Sequence, residues 1–177
     1  MRPMTRDEAV ARVGSSFGIG TPYVLFVGTI EPRKNVAGLI KAFRRIQDHF
    51  PHKLVIVGAR GWISGEELAK LIGVELAAHT DQRGRNSQNR IELPGFVSQH
   101  DLPELYGAAD AFVFPSFYEG FGLPVLEAMA CGCPVITANN SSLPEVAGDA
   151  AEYCDANDVD SIANAMRRVL GDAALRE

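Results

Sequence analysis

Residues Phe112 to Ile136 read FVFPSFYEGFGLPVLEAMACGCPVI, and this stretch decides the fold. The run from Phe112 to Phe114 is short and apolar, as a buried parallel strand is. Leu123-Pro124 opens a helix after a glycine-containing loop, because proline is favoured where its missing N–H costs nothing. Gly132 ends that helix as a C-terminal cap. The stretch therefore predicts a strand, a loop, a helix and the next strand.

Two carboxylates are set into this apolar unit. Glu119 lies in the loop at the carboxyl end of a strand, where open α/β sheets bind their ligands. Glu127 lies about one turn into the helix, whose N-terminal N–H groups and dipole favour an anion over Gly122 and Leu123. Because carboxylates accept hydrogen bonds from sugar hydroxyls, the pair suits a molecule with hydroxylated rings on both sides of a diphosphate. The alternative to a binding role is that Glu119 is a solvated loop residue and that Glu127 is an ordinary first-turn acid, which the helix dipole favours.

Glu119, seven residues, Glu127 and then Ala-Met-Ala-Cys-Gly-Cys-Pro-Val resemble the signature of the group-1 retaining glycosyltransferases of the GT-B fold. The resemblance extends from about Tyr23 to Leu170 and covers only the C-terminal, nucleotide-sugar-binding domain of that family. It implies an acceptor-binding domain that normally precedes this region and is missing here. We therefore expect residues 1–20 to be an N-terminal helix and linker, residues 21–177 to be the donor-binding domain, and the chain alone to be inactive.

A second anion-binding corner is predicted after the first strand, Tyr23–Gly28. Arg33 and Lys34 come directly before Asn35, which can cap the helix that follows. In the family, a lysine in the corresponding Arg-Lys-Asn position binds the donor diphosphate, which selects Lys34. Many relatives also carry an arginine where this chain has Thr29, so either Arg33 substitutes for it or one phosphate contact is weaker.

The resemblance implies a role for each of these side chains. Glu119 and Lys34 are the predicted catalytic residues, with Glu119 on the sugar hydroxyls near the reacting carbon and Lys34 on the diphosphate. Glu127 is predicted to accept hydrogen bonds from the ribose hydroxyls. Whether Glu119 is a nucleophile or only positions the sugar stays open. The predicted substrate-binding positions are Arg33, Glu127, Gly28, Thr29, Val97 (at the nucleobase edge), Gly120, Phe121, Gly122 and Leu123.

Length and composition are those of one globular domain. The chain has 177 residues, of which 46% are hydrophobic and 22% are charged. A net charge of −5 argues against a nucleic-acid-binding protein. No apolar run approaches the roughly 20 residues that a membrane-spanning helix needs, and no signal-peptide pattern is present. We expect a cytoplasmic protein that could meet a membrane only through the missing domain, with Cys131, Cys133 and Cys154 as buried, reduced thiols.

The remaining patterns alternate between strands and helices. At least five strands are expected, so the predicted fold is a Rossmann-like α/β domain: an open, mostly parallel sheet with helices on both faces, one half of a GT-B fold. Strands are predicted at Lys53–Gly58, Ile91–Leu93 and Ala151–Cys154; helices at about Thr5–Val13, Ser64–Ala78 and Asp158–Leu170; and a polar loop at Thr80–Asn89. Arg83, Arg85 and Arg90 are expected to be solvated.

The motifs that are absent narrow the function. No dinucleotide-binding, P-loop or α/β-hydrolase glycine motif appears. Asp158-Val-Asp160 matches a metal-binding D-x-D pattern, but its place at a helix start favours capping, and we expect neither a metal nor a cofactor besides the nucleotide-sugar substrate. Three alternatives stay open: a sugar-nucleotide epimerase of related fold, a non-catalytic nucleotide-binding module and a structural domain.

Overall fold

In the part of the chain that the structure describes, six parallel strands form one central sheet. The computed structural model describes residues 4–59, 61 and 90–176. Within these residues the strands are β1 (Tyr23–Val27), β2 (Lys53–Val57), β3 (Ile91–Gly95), β4 (Ala111–Phe114), β5 (Val135–Ala138) and β6 (Ala151–Cys154). Their order across the sheet is β3-β2-β1-β4-β5-β6, and every pair is parallel. The predicted Rossmann-like parallel sheet is therefore confirmed.

Helices cover the sheet in two groups. They are α1 (Arg6–Phe17), α2 (Val36–Ile46), α3 (Leu102–Ala108), α4 (Leu123–Ala130), α5 (Leu143–Ala147) and α6 (Val159–Gly171), with 3₁₀ turns at Pro32–Lys34 and Ala174–Arg176. Helix α2 packs on α6, whereas α1, α3, α4 and α5 contact one another in succession. Right-handed crossovers that leave the middle of the sheet in opposite directions place α2 and α4 on opposite faces. None of the described helices is both long and apolar enough to cross a membrane.

The strands in the middle of the sheet are buried on both faces, as parallel strands covered by helices must be. Every residue of β1, β4 and β5 is buried. Phe114 packs between two other aromatic rings, with its ring centroid 6.0 Å from that of Phe26 and 5.6 Å from that of Phe112. Tyr106 of α3 meets Phe112 edge-on at 5.3 Å. This aromatic row continues along β4 to its carboxyl end.

Local capping explains several helix ends. Thr5 and Glu8 form a capping box at α1, which continues to Phe17, beyond the predicted end. The Asp158 carboxylate accepts a hydrogen bond from the Asp160 N–H at the start of α6, which confirms the predicted capping role. Gly132 follows α4 with φ of 70°, a left-handed conformation that favours glycine at a helix C-terminus.

Helix α1 is joined to the rest of the domain by packing and by charge. Its Ala9 and Val13 are buried, and the helix contacts α3. Arg6 pairs with Asp110 at 2.6 Å and donates to the carbonyl of Ala109 at 3.0 Å. Arg12 pairs with Glu104 of α3 at 2.9 Å. These contacts place the first helix against the same face as α3 and α4.

One expectation from the sequence was confirmed and one was wrong. Arg90 is exposed as predicted, and its guanidinium also donates to the carbonyls of Gln47 and Phe50, the latter at 2.7 Å. Cys131 is partly exposed, whereas Cys133 and Cys154 are buried, and burial raises the pKa of Cys154 to about 12. The predicted helix Ser64–Ala78, the loop Thr80–Asn89, Arg83 and Arg85 lie outside the described residues.

Close backbone packing at the carboxyl ends of β1 and β2 gives a stability prediction. Gly58 has φ of 150°, and a Cβ there would lie 2.0 Å from the carbonyl oxygen of Gly28. We expect Gly58→Ala to lower the free energy of unfolding by about 2–3 kcal/mol, because the backbone of both loops must move. Gly14→Ala is the control, because no atom lies within 4 Å of a Cβ at this helical site. It should stabilise by ~0.5–1 kcal/mol. Equal urea midpoints for Gly58→Ala and the wild type would contradict this account.

Candidate functional site

The site lies where the strand order reverses. Because β1 lies between β2 and β4, the chain leaves β1 and β4 in opposite directions, and the crevice at their carboxyl ends is where such sheets bind ligands. The segment after β1 supplies Arg33 and Lys34, and the loop after β4 supplies Glu119. The backbone N–H of Phe117 donates to the carbonyl of Arg33 at 2.9 Å and joins the two segments. The structure therefore brings three of the predicted site residues together.

Glu119 is the centre of an ion cluster. Its Oε1 lies 2.7 Å from Nζ of Lys34, and its Oε2 lies 2.8 Å from a guanidinium nitrogen of Arg33. The side chains of Lys34 and Glu119 are only 10% and 7% exposed, whereas that of Arg33 is 44% exposed. Nζ of Lys34 also lies 4.7 Å from the ring centroid of Phe114. One buried carboxylate thus serves as the counterion of both predicted diphosphate-binding cations.

A second carboxylate balances the charge of this cluster. Glu31 accepts a hydrogen bond from Arg33 at 2.5 Å, so two cations face two anions. Burial acts to lower the pKa of Arg33, but the charges and hydrogen bonds of Glu119 and Glu31 outweigh it and raise that pKa. The guanidinium is therefore firmly charged. An anion that enters the crevice would compete with Glu119 and Glu31 for the two cations.

Asn35 holds the backbone next to Lys34. Its side-chain amide donates to the carbonyl of Pro115 at 3.1 Å and to that of Ala156 at 2.7 Å, and its Oδ1 accepts from the N–H of Gly38 at 3.2 Å. Its φ of 53° is left-handed, a conformation in which asparagine is over-represented. The predicted cap is confirmed. The sequence did not show that the same amide also joins the ends of β1, β4 and β6.

The segment after β5 holds the backbone of Glu119. The N–H of Glu119 donates to Oγ of Ser141 at 3.1 Å, and Oγ of Ser142 donates to the carbonyl of Glu119 at 3.1 Å. Asn140 donates to the carbonyl of Ser116 at 3.2 Å. Ser141 has φ of 48°, which costs energy in a non-glycine residue. The sequence offers only a general signal for this role, a polar run directly after a strand.

The N-terminus of α4 is the predicted place for an anion. Gly122 is its N-cap residue with φ of 93°, and no side chain accepts a hydrogen bond from the first turn. An uncapped helix start presents free backbone N–H groups and the positive end of the helix dipole. Gly120, Phe121 and Leu123 are exposed beside it. Gly122 itself is buried, so the exposed residues Gly120, Phe121 and Leu123 form the accessible rim on the loop that carries Glu119.

Glu127 has a different partner from Glu119. It is exposed on α4, and the hydroxyl of Tyr106 donates to its Oε2 at 3.1 Å. Tyr106 is buried, and burial together with the neighbouring Glu127 charge raises its pKa, so the phenol stays protonated and acts as a donor. Tyr106 is not among the predicted site residues. A tyrosine carries a hydroxyl that usually finds a partner when buried, which was the missed signal.

The remaining predicted residues lie around this crevice or farther along the sheet. Gly28 follows β1, and a Cβ there would lie 3.8 Å from Cε of Lys34. Thr29 is exposed at the same edge. Val97 is buried after β3, two strands away from β1. Among the described residues, no group of three or more His, Cys, Asp or Glu side chains could hold a metal ion.

Comparison with known proteins identifies the family. The family model described as "Glycosyl transferases group 1" matches residues 12–177. The chain belongs to this family. O-antigen chain mannosyltransferase B of Escherichia coli is 45% identical over 157 residues, which cover 88% of the chain but 38% of that protein. The family predicted from Glu119, Glu127 and the residues after them is thereby confirmed.

Solved structures of other proteins share the fold. Sucrose-phosphate synthase from Thermosynechococcus elongatus superimposes with a TM-score of 0.73 at 27% identity, covering 98% of this chain and 43% of that one. HepE of Anabaena, solved in complex with UDP and glucose, gives a TM-score of 0.76 at 19% identity over 98% of this chain and 47% of that one. The chain thus spans less than half the length of the proteins it matches.

The ion cluster predicts unequal costs for removing its two cations. Lys34→Met leaves the buried Glu119 short of its buried partner, and we expect it to lower the free energy of unfolding by about 3 kcal/mol. Arg33→Met removes a half-exposed partner and should cost less than ~1 kcal/mol. The double variant Lys34→Met/Glu119→Gln should recover part of the loss, since no buried charge is then unpaired. Urea denaturation measures all three; a double variant less stable than Lys34→Met would contradict this assignment.

Proposed function

We propose that this chain binds a nucleoside-diphosphate sugar in the crevice between β1 and β4, as the donor side of a retaining glycosyltransferase. The observation that carries the proposal is the cluster of Lys34, Arg33 and Glu119 at the reversal of the strand order. The uncapped start of α4 lies on the same loop as Glu119. Family membership supports the reaction type, because group 1 enzymes transfer glycosyl groups.

The diphosphate is assigned to the cations and to the helix start. Lys34 and Arg33 carry positive charge on one side of the crevice, and the backbone N–H groups from Phe121 to Leu123 supply donors on the other. When the bond between the anomeric carbon and the phosphate breaks, negative charge grows on the leaving diphosphate. Positive groups held in place before the reaction stabilise that charge and lower the barrier.

The two carboxylates are assigned to the two hydroxylated rings. Glu119 accepts hydrogen bonds from sugar hydroxyls near the reacting carbon, and Glu127 accepts them from the ribose. Their different partners in the structure support different roles, since Glu119 contacts cations and Glu127 contacts a phenol. Gly28, Thr29 and Gly120 border the ligand, and the backbone near Val97 lies at the nucleobase.

We further propose mannose as the transferred sugar. The support is the 45% identity to a protein named as a mannosyltransferase. Transfer also needs an acceptor held in line with the anomeric carbon, and such positioning contributes ~7–11 kcal/mol to lowering a bimolecular barrier. The proposed site on residues 1–177 holds the donor side, so we infer that these residues by themselves bind the donor without transferring the sugar.

The separate roles of the two glutamates predict different mutant behaviour. Glu127→Gln should lower the affinities for a nucleoside diphosphate and for its mannose derivative equally, because the ribose is common to both. The expected loss is about tenfold, since hydrogen bonds to a charged group contribute ~1.5–3 kcal/mol. Glu119→Gln should not weaken the plain nucleoside diphosphate, since a phosphate then meets less competition for Lys34. It should lower the preference for the mannose derivative over the diphosphate by about tenfold.

Calorimetric titration of each variant with both ligands measures these ratios. UDP, GDP and ADP and their mannose and glucose derivatives form the ligand set. Asp48→Asn is the matched control, because this exposed acid lies between α2 and β2, at the opposite edge of the sheet. An unchanged preference for the sugar derivative in Glu119→Gln, or wild-type affinity in Glu127→Gln, would mean that the assigned roles are wrong.

We also propose that donor binding needs no metal, because two cations and a helix start are available to balance the diphosphate. The affinity for the nucleoside diphosphate should then be the same within about twofold in EDTA and in Mg²⁺ or Mn²⁺. Calorimetry under the three conditions provides the test. Lys34→Met is the informative companion variant, and it should lose affinity under all three. Binding that disappears in EDTA and returns with a divalent ion would overturn the proposal.

A further inference from the structure

Tyr106 and Glu127 form a contact that the proposed reaction does not by itself explain. Tyr106 lies in the middle of α3 and is buried, whereas Glu127 is exposed on α4. The phenol oxygen lies 3.1 Å from Oε2 of Glu127. Within the described residues, Oε1 of Glu127 makes no hydrogen bond or ion pair. One carboxylate oxygen is therefore held by the protein while the other is available.

The phenol is rigidly placed. Its ring meets that of Phe112 edge-on, with centroids 5.3 Å apart, and Phe112 belongs to the central strand β4. Helix α3 contacts α4, so the tyrosine and the glutamate approach each other from packed elements. An exposed glutamate on a helix otherwise samples several rotamers, and fixing one costs conformational entropy that ligand binding must supply. A hydrogen bond from a buried donor removes part of that cost before the ligand arrives.

We infer that Tyr106 is a positioning residue for Glu127, which it orients so that the carboxylate reads the ribose hydroxyls of the nucleotide. This inference deepens the proposed function and rests on it. Tyr106 does not touch the ligand; it acts through Glu127. Its loss should therefore affect ligands that carry a ribose with its hydroxyls and leave ligands without them unaffected.

The substitution Tyr106→Phe removes the hydroxyl and keeps the ring. Tyr23→Phe is the matched control, because Tyr23 is also buried and its hydroxyl donates to the carbonyl of Leu105, next to Tyr106 on the same helix, at 2.7 Å. Each variant loses one hydrogen bond made by the hydroxyl of a buried tyrosine: Tyr23→Phe loses the bond to Leu105, and Tyr106→Phe loses the bond to Glu127. Only Tyr106→Phe loses the contact with Glu127, so the pair separates loss of stability from loss of positioning.

The wild-type chain is first titrated calorimetrically with UDP, GDP and ADP to find the nucleoside diphosphate that binds most tightly. The wild type and each variant are then titrated with that nucleoside diphosphate, with its 2′-deoxy form and with inorganic pyrophosphate. Tyr106→Phe should lower the affinity for the ribonucleoside diphosphate by about fivefold or more. It should leave the affinity for pyrophosphate unchanged, and it should lower the affinity for the 2′-deoxy form by a smaller factor. Added to Glu127→Gln, it should cause no further loss, because the two residues act as one unit. Tyr23→Phe should bind all three ligands like the wild type.

Several results would overturn the inference. Wild-type affinity in Tyr106→Phe, an equal loss for pyrophosphate, or an additive loss in the double variant would each do so. If the wild-type chain binds none of the nucleoside diphosphates, the proposed function fails and this inference fails with it. If the wild type binds and Tyr106→Phe binds equally well, only the inference fails.

A measurement on the unsubstituted site covers the case in which Tyr106→Phe does not fold. The chain has four tyrosines, which can be replaced biosynthetically by 3-fluorotyrosine. The ¹⁹F signal of Tyr106 is assigned by elimination from Tyr23→Phe, Tyr118→Phe and Tyr153→Phe. That signal should shift when the ribonucleoside diphosphate binds and stay in place with pyrophosphate. An unshifted signal on nucleotide binding would overturn the inference.

Discussion

The salt bridge between Lys34 and Glu119 lies between β1 and β4, where the order of the strands in the sheet reverses. The surrounding residues hold the lysine and the glutamate in place. Lys34 follows β1 and Glu119 follows β4, so neither strand alone defines the site. A buried ion pair is stable only when its geometry is good and its remaining hydrogen-bonding positions are satisfied. Here Asn35 fixes the backbone beside the lysine, and Ser141 and Ser142 fix the backbone of the glutamate.

The aromatic row connects the two carboxylate sites. Phe112 and Phe114 project from β4 two residues apart, so both lie on the same face of the sheet. Phe114 lies beneath the ammonium of Lys34, and Phe112 lies against Tyr106, which in turn holds Glu127. The rings are stacked or edge-on at 5.3–6.0 Å and cannot shift independently in a close-packed core. The ammonium of Lys34 and the carboxylate of Glu127, which the proposed donor would contact, are thus both placed by aromatic side chains of one strand, β4.

The sequence predicted the fold, the family and the approximate place of the site because these depend on local patterns. Apolar runs mark buried strands, and Gly132, Asn35 and Asp158 mark helix ends by chemistry that acts within a few residues. The partners of each polar side chain depend on which strands become neighbours. Nothing local indicates that Ser141 would meet Glu119 or that Arg90 would bind the carbonyls of Gln47 and Phe50. The charged side chains that meet in the crevice were among the predicted ones, but the residues that hold them could be found only from the order of the strands in the sheet.

The neutral balance of the ion cluster has a consequence for the proposed donor. In the structure both oxygens of Glu119 are used by cations, so the buried charges are paired without any ligand. A diphosphate that takes Lys34 and Arg33 withdraws partners from Glu119, and an unpaired buried carboxylate costs several kcal/mol by order of magnitude. Sugar hydroxyls can replace those partners, because each hydroxyl donates one hydrogen bond. A ligand with both a diphosphate and a sugar would therefore give new partners to the two cations and to Glu119, whereas a diphosphate alone would give none to Glu119. If the proposed donor binds here, Glu119 would contribute to selectivity for the intact donor over the product diphosphate, and it would favour release of that product once the sugar has left.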